Sequence, residues 1–165
     1  MKKILLMTAI IAVTGSVAQS QAVQSPRVET ELGNVKVGYG QPSKRDREIF
    51  GKLVPYGKVW RTGANEATEI SFKKDATFGG KPIKAGTYTL FTIPGEKEWT
   101  FILNSELKQE GTSKYDEIKG KNVLQVTVPA EAVSGAVVEK LTITLKADKL
   151  VLEWDKTKVQ VPIKS

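Results

Sequence analysis

Residues 59–68, VWRTGANEAT, place an indole, a guanidinium, an amide and a carboxylate within seven positions: Trp60, Arg61, Asn65 and Glu66, with Gly63 among them. A plain strand and turn require none of these groups. A guanidinium holds a carboxylate through two parallel hydrogen bonds. Read as an extended segment, the stretch puts Arg61 at a strand end, and a bend at Gly63 returns Glu66 toward it. The partner of Arg61 is therefore Glu66, a ligand carboxylate, or both. Tyr56 lies just upstream and adds an aromatic group. Tyr56, Trp60, Arg61, Asn65 and Glu66 are the candidate ligand-binding residues, because small-ligand pockets combine an aromatic wall with a few placed polar groups. A small polar ligand, either a sugar or a carboxylated metabolite, suits that set.

The chain has no histidine and no cysteine. Ser-His-Asp and Cys-His nucleophilic machinery is thereby excluded. So are zinc sites built on imidazole or thiolate, and the usual copper and iron ligand sets. Carboxylate chemistry, a serine–lysine pair and an all-oxygen calcium or magnesium site remain. The sequence has no EF-hand loop, and its closest acidic group, Asp116-Glu117, is a simple pair. No glycine-rich phosphate loop precedes a helix. The expectation is no metal, no cofactor and no established catalytic residue. Carboxylate-based glycoside hydrolysis needs two acids about the scissile bond. Glu66 is one candidate, with Asp75 or Glu69 as its partner, and the spacing does not single out either.

These residues sit among strands. Period-2 alternation with turn signals recurs in VKVGYG (35–40), TEISF (68–72), GTYTLFTIP (86–94), WTFILN (99–104), NVLQVTVP (122–129), EKLTITLKA (139–147), KLVLEW (149–154) and KVQVPI (158–163). β-Branched and aromatic residues favour such half-buried pleated surfaces. Gly79-Gly80, the PGEKE segment at 94–98, KADK at 146–149 and DKT at 155–157 supply the turns, and the last three strands form a meander. The spacing predicts an all-β antiparallel sandwich, jelly-roll-like, of about 8–10 strands with one or two short helical turns. The helical turns are expected within residues 43–53 and 105–111, the second capped by Ser105 and ended by Gly111. The non-repetitive stretch 49–72 is either a functional loop or a packed crossover. Tyr88, Phe91 and Trp99 are expected to pack the interior.

The N-terminus reads as a secretory signal peptide: basic Lys2 and Lys3, an apolar run over 4–13 too short to span a bilayer, and Ser20-Gln21-Ala22 as a cleavage site, with Ala18 as a competing one. Residues 1–22 are thus the signal and 23–165 a single β-sandwich domain, exported to the periplasm or secreted. The absence of cysteine excludes disulfides and suits a bacterial exported protein. No later apolar run is long enough to span a membrane. The chain carries 25 basic and 18 acidic residues. The one tight basic cluster, Lys44, Arg45 and Arg47, is interrupted by Asp46 and Glu48, and with no basic stripe or motif it argues against nucleic acid as a partner.

Two pieces, YGQPSKRDREIFGKLVPYGKVWRTGANEATEI and GGKPIKAGTYTLFTIPGEKEWT, resemble the domain-of-unknown-function family 2911, exported proteins common in Bacteroidetes. The resemblance runs from SPRVE at Ser25 to KVQVPI near the end. It departs at Gln41, where the family commonly has arginine, and at Asp46, where it commonly has glycine. It implies an exported β-sandwich and no established activity. The name asparagine synthetase, given to some members, finds no support in a chain without a cysteine nucleophile or a nucleotide loop. Three readings stand: a binding module for a sugar or small molecule, a structural or interaction protein of the bacterial envelope in which Arg61 and Glu66 fix a crossover, and a carboxylate-based hydrolase. The signal reading is tested by mass spectrometry of exported protein, which should show a chain beginning Val23-Gln24-Ser25. Exported material that retains Lys2 and Lys3 would refute it.

Overall fold

Alternating apolar residues build eleven strands in the computed structural model, which describes residues 24–165. The expected signal segment lies outside the described residues. The strands are β1 (Arg27–Leu32), β2 (Val35–Gly40), β3 (Thr68–Phe72), β4 (Ala76–Phe78), β5 (Lys81–Ile83), β6 (Gly86–Ile93), β7 (Glu98–Asn104), β8 (Asn122–Ala132), β9 (Val138–Lys146), β10 (Lys149–Asp155) and β11 (Thr157–Lys164). They pair antiparallel along the path β1-β2-β3-β6-β7-β8-β11-β10-β9, with β4 bonded to β11 and β5. The protein is all-β. The expected β9–β10–β11 meander is present, as are the turns at Gly79-Gly80 and between β6 and β7.

Helix occurs among the described residues at one place, α1 (Tyr115–Ile118), continued by a 3-10 turn over Lys119–Lys121. Neither segment expected to turn helically does so. Residues 43–53 form turns and isolated bridges instead. Lys44 N is drawn to Glu139 O at 2.7 Å, and the rest of the segment closes on separate turn bonds, such as Arg47 N to Lys44 O and Val54 N to Ile49 O, instead of a helical ladder. No helix among the described residues is long and apolar enough to cross a membrane.

The path nearly closes into a barrel. β1 lies against β9, and the chain just past β2 completes the contact. Leu141 N donates to Pro42 O at 3.0 Å, and Ser43 bridges Lys140. The Gln41 amide donates to Leu141 O at 3.0 Å. Gln41 thus supplies at this seam a donor that an arginine would also supply. Across the interior, Ile143 N donates to the Tyr39 hydroxyl at 3.1 Å.

Inward residues of every long strand form one core, including Val37, Ile70, Leu90, Phe101, Leu152 and Val159, all fully buried. β6 is buried on both faces because a second cluster, Ala67, Phe91, Ile102 and Ile118, covers its outer side. Tyr88, Phe91 and Trp99 are buried as expected. Asn104, at the end of β7, is fully buried. Its amide donates to Ile118 O and Asn122 Oδ1, and its Oδ1 accepts from Glu106 N. That network fixes both ends of the 105–121 segment, which forms one wall of the site described below.

β2 and β3 are direct sheet neighbours, with Gly38 opposite Glu69, yet residues 41–67 separate them. This crossover folds over one end of the barrel. Its return depends on Gly40, where an added Cβ would lie 2.0 Å from the Ala64 carbonyl oxygen. Gly40→Ala is therefore expected to lose about 3 kcal/mol or more of stability, the upper range for overpacking. Gly120→Ala, with no atom near the added Cβ, should stay within about 0.5 kcal/mol of the parent. Urea denaturation of both variants checks this, and equal midpoints would show that the close approach is absent.

Candidate functional site

The crossover is held by backbone bonds at several points. Trp60 and Thr92 exchange two, Trp60 N to Thr92 O at 2.7 Å and Thr92 N to Trp60 O at 3.0 Å. Ala64 N donates to Gly40 O, Ala67 N to Gln109 O and Thr68 N to Arg61 O. Between these anchors the chain turns through two left-handed residues, Thr62 (φ 57°) and Asn65 (φ 60°). The bend expected at Gly63 is thus made by its neighbours. Gly63 is needed for space, since a Cβ there would come 2.9 Å from Gly40 O and 3.1 Å from Thr68 Oγ1. A β-branched residue at positive φ is an outlier, and strain of this kind is held only where surrounding contacts over-determine it. Thr62 is fully buried. Its hydroxyl shares a hydrogen bond with Thr92 Oγ1 at 3.0 Å, and its carbonyl accepts from Thr68 Oγ1 at 2.9 Å.

Trp60 enters an aromatic cluster. It stacks on Trp154 (5.9 Å, 15°) and meets the rings of Phe50 and Trp99 edge-on at 6.0 and 6.1 Å. Trp154 donates Nε1–H to Glu139 O. Trp99 has no partner for its own Nε1, a loss on the order of 1–3 kcal/mol that the cluster must offset. Trp60 is only half-buried, and its exposed part, together with Trp154, lines a cleft of about 710 Å³.

Four cations border that cleft, Arg45, Arg47, Lys58 and Arg61, against one carboxylate, Glu110. Arg47 is fixed by donating Nε–H to Lys44 O (2.9 Å) and Nη2–H to Ser43 O (2.7 Å). Arg61 donates Nη1–H to Asn65 O at 2.9 Å. None of the four lies within ion-pair distance of a carboxylate among the described residues. Scattered surface lysines such as Lys52 and Lys97 share that state, and what sets these four apart is that they line one concavity. Ser43, Thr112 and Ser113 add hydroxyl groups to the wall. Arg45 (φ 48°) and Asp46 (φ 57°) are both left-handed, a conformation that glycine, the resembled family's usual residue at 46, adopts freely.

The ion pair expected between Arg61 and Glu66 is not formed. Glu66 instead lies 3.5 Å from Arg27, both side chains being well exposed. The reason is the left-handed Asn65, which turns Glu66 toward β1 and into a bridge with Glu110. Asn65 and Glu66 line a second cleft of about 670 Å³ with Gln24 and Arg27, and this cleft shares Ser25, Arg61, Ala64 and Glu110 with the first. Asn65 donates its amide to Ser25 O at 3.0 Å. Trp60, Arg61, Asn65 and Glu66 thus lie along two adjoining clefts. Tyr56 lines neither; it is 39% exposed and packs beside Gly51. Its hydroxyl is held above the usual phenol range by desolvation, then by the charges of Glu96, Glu48 and Asp155.

The acids weighed as partners for Glu66 lie elsewhere. Asp75 bonds Lys84 and Ala85 N, and Glu69 accepts from Lys108 N. The Lys84 hydrogen bond, with that of Ala85 N, holds the Asp75 carboxyl below its usual range. No group of three or more acids that could hold a metal occurs among the described residues. Sequence reasoning missed Arg27, Lys58, Glu110 and Trp154, and it weighed Arg45 and Arg47 only as an interrupted basic cluster that argues against nucleic acid. The basic cluster at 44–47 was the one signal that could have found part of this set.

The buried hydroxyl pair under the crossover generates a stability test. Thr62→Val is expected to lose about 1–3 kcal/mol, because it leaves Thr92 Oγ1 buried without its partner. The double variant Thr62→Val/Thr92→Val should recover part of that loss. Strict additivity in denaturant melts would contradict the pairing.

No curated protein and no solved structure matches the chain. A family does match: over residues 20–163, nearly the whole sequence, the chain belongs to the family described as Protein of unknown function (DUF2911).

Proposed function

We propose that the protein is an exported module, periplasmic or secreted, that binds a small polar ligand, a carbohydrate or a small carboxylated molecule, in the cleft over Trp60 and Arg61. One observation carries this reading: Arg45, Arg47, Lys58 and Arg61 line one concavity and none has a carboxylate within ion-pair distance among the described residues. Like charges gathered in a concave, low-dielectric setting focus a field that attracts the opposite charge. Arg47 and Arg61 are already oriented by backbone carbonyls, so little side-chain freedom is lost when an anion arrives. The half-buried indole of Trp60 supplies apolar contact beside them.

The envelope-structural reading differs in what Arg61 does. In that reading Arg61 is needed for the fold, and here it is needed for the ligand. A thermal-shift screen of the purified protein against sugars and organic acids should find a stabilising ligand. Arg61→Ala and Arg61→Lys should each leave stability within about 1 kcal/mol of the parent, as expected for a solvated group. Both should weaken the ligand at least about tenfold, because lysine lacks the planar fork. If nothing in the screen stabilises the parent and Arg61→Ala melts far below it, the structural reading replaces this one.

A further inference from the structure

Resting on that binding reading, we infer that the ligand is an acidic oligosaccharide lying across both clefts, with a carboxylated sugar against Trp60 and a neutral sugar against Arg27, Asn65 and Glu66. The two clefts share Ser25, Arg61, Ala64 and Glu110, so Arg61 stands at their seam. Each is within the range of about 300–1,000 Å³ that houses a small ligand by itself. Together they hold something longer than one sugar ring.

The charge on the two sides of Arg61 differs. The first cleft sets Arg45, Arg47, Lys58 and Arg61 against Glu110 alone. The second sets Arg27 and Arg61 against Glu66 and Glu110, with the Asn65 and Gln24 amides beside them. A ligand complementary to both is anionic at one end and neutral but rich in hydroxyl groups at the other. Sugar hydroxyls donate to carboxylates and accept from guanidinium and amide groups, so they satisfy both kinds of lining at once. A phosphate chain fits less well, because Glu66 and Glu110 repel its second half. An apolar ligand fits worst, since it would strip water from four charged groups and return no hydrogen bonds. At the anionic end, Trp60 is held in place by its stack on Trp154. The C–H groups of a pyranose, weakly positive, pack well against such an electron-rich ring.

The test is titration calorimetry of the purified protein with disaccharides that join one uronate (galacturonate, glucuronate or mannuronate) to one neutral sugar, their carboxyl-reduced neutral counterparts, the three uronate monosaccharides, citrate and tripolyphosphate. At least one of the acidic disaccharides is expected to bind tenfold or more tightly than both its neutral counterpart and its uronate monosaccharide. Arg47→Ala should weaken that ligand tenfold or more. Glu66→Gln should weaken it severalfold while leaving the monosaccharide affinity unchanged, since the monosaccharide occupies the first cleft only. Both variants should melt with the parent. Equal affinity for the neutral counterpart overturns the acidic assignment and leaves a sugar site. Equal affinity for the monosaccharide overturns the two-cleft span and leaves a single-cleft site. Binding of citrate or tripolyphosphate with no saccharide bound overturns the sugar class and leaves an anion site. Binding of none of the probes overturns this inference, and the binding reading falls with it only when the thermal-shift screen also finds no ligand and Arg61→Ala melts far below the parent.

Discussion

The structure depends on how a long irregular segment satisfies its backbone. Residues 41–67 leave β2 and return to its neighbour β3, so the segment must double back over the barrel end without regular strand pairing of its own. Buried N–H and C=O groups have to find partners, and here they find them on four sides: β9 through Pro42 and Lys44, β6 through Trp60, β2 through Ala64, and the 105–113 segment through Ala67. Each anchor fixes a short stretch, and the left-handed residues at 45, 46, 62 and 65 make the corners between anchors. Gly40 and Gly63 allow the two backbones to meet. Order in this crossover thus comes from main-chain bonding, from the aromatic packing of Phe50 and Trp60, and from side-chain bonds such as those of Gln41, Thr62 and Asn65.

That division of labour has a chemical consequence. The fold does not need the side chains of Arg45, Lys58 or Arg61 for ion pairing, and they border the cleft with no acid partner among the described residues. Elsewhere some cations pair with acids, for instance Lys84 with Asp75, and scattered lysines such as Lys52, Lys97 and Lys156 do not; the cleft differs in gathering four such cations in one concavity. Exposed pairs of that kind contribute little, so the contrast matters less for stability than for charge balance. An uncompensated group of cations raises the potential of one concavity, and a rigid backbone keeps it concentrated there.

The strands were legible because one face of each is buried, which forces period-2 alternation. The three that were not have clear reasons. β1 carries charges at Arg27, Glu29 and Glu31 and lies largely exposed. β4 and β5 are three residues each, too short to show a period. β5 also holds Pro82, which an edge strand paired only with β4 tolerates. At the site, Trp60 and Arg61 were legible from residue type and neighbourhood. Their true surroundings were not, because Arg27, Arg47, Glu110 and Trp154 come from four distant parts of the chain. Pairing Arg61 with Glu66 assumed that nearness in sequence is nearness in space. The left-handed Asn65 breaks that assumption, and nothing in the ANEA segment signals it beyond asparagine's tolerance of αL.

The central claim is that the crossover is a rigid platform held by its backbone, so that Arg47 and Arg61 are oriented before any ligand arrives. Native-state hydrogen exchange of the unliganded protein tests it most directly, read at the crossover amides of Trp60, Ala64 and Ala67. The account predicts protection close to that of core amides in β6 and β7, with opening near the global unfolding free energy. Exchange at those amides as fast as in an unstructured loop, with β6 and β7 still protected, would contradict it.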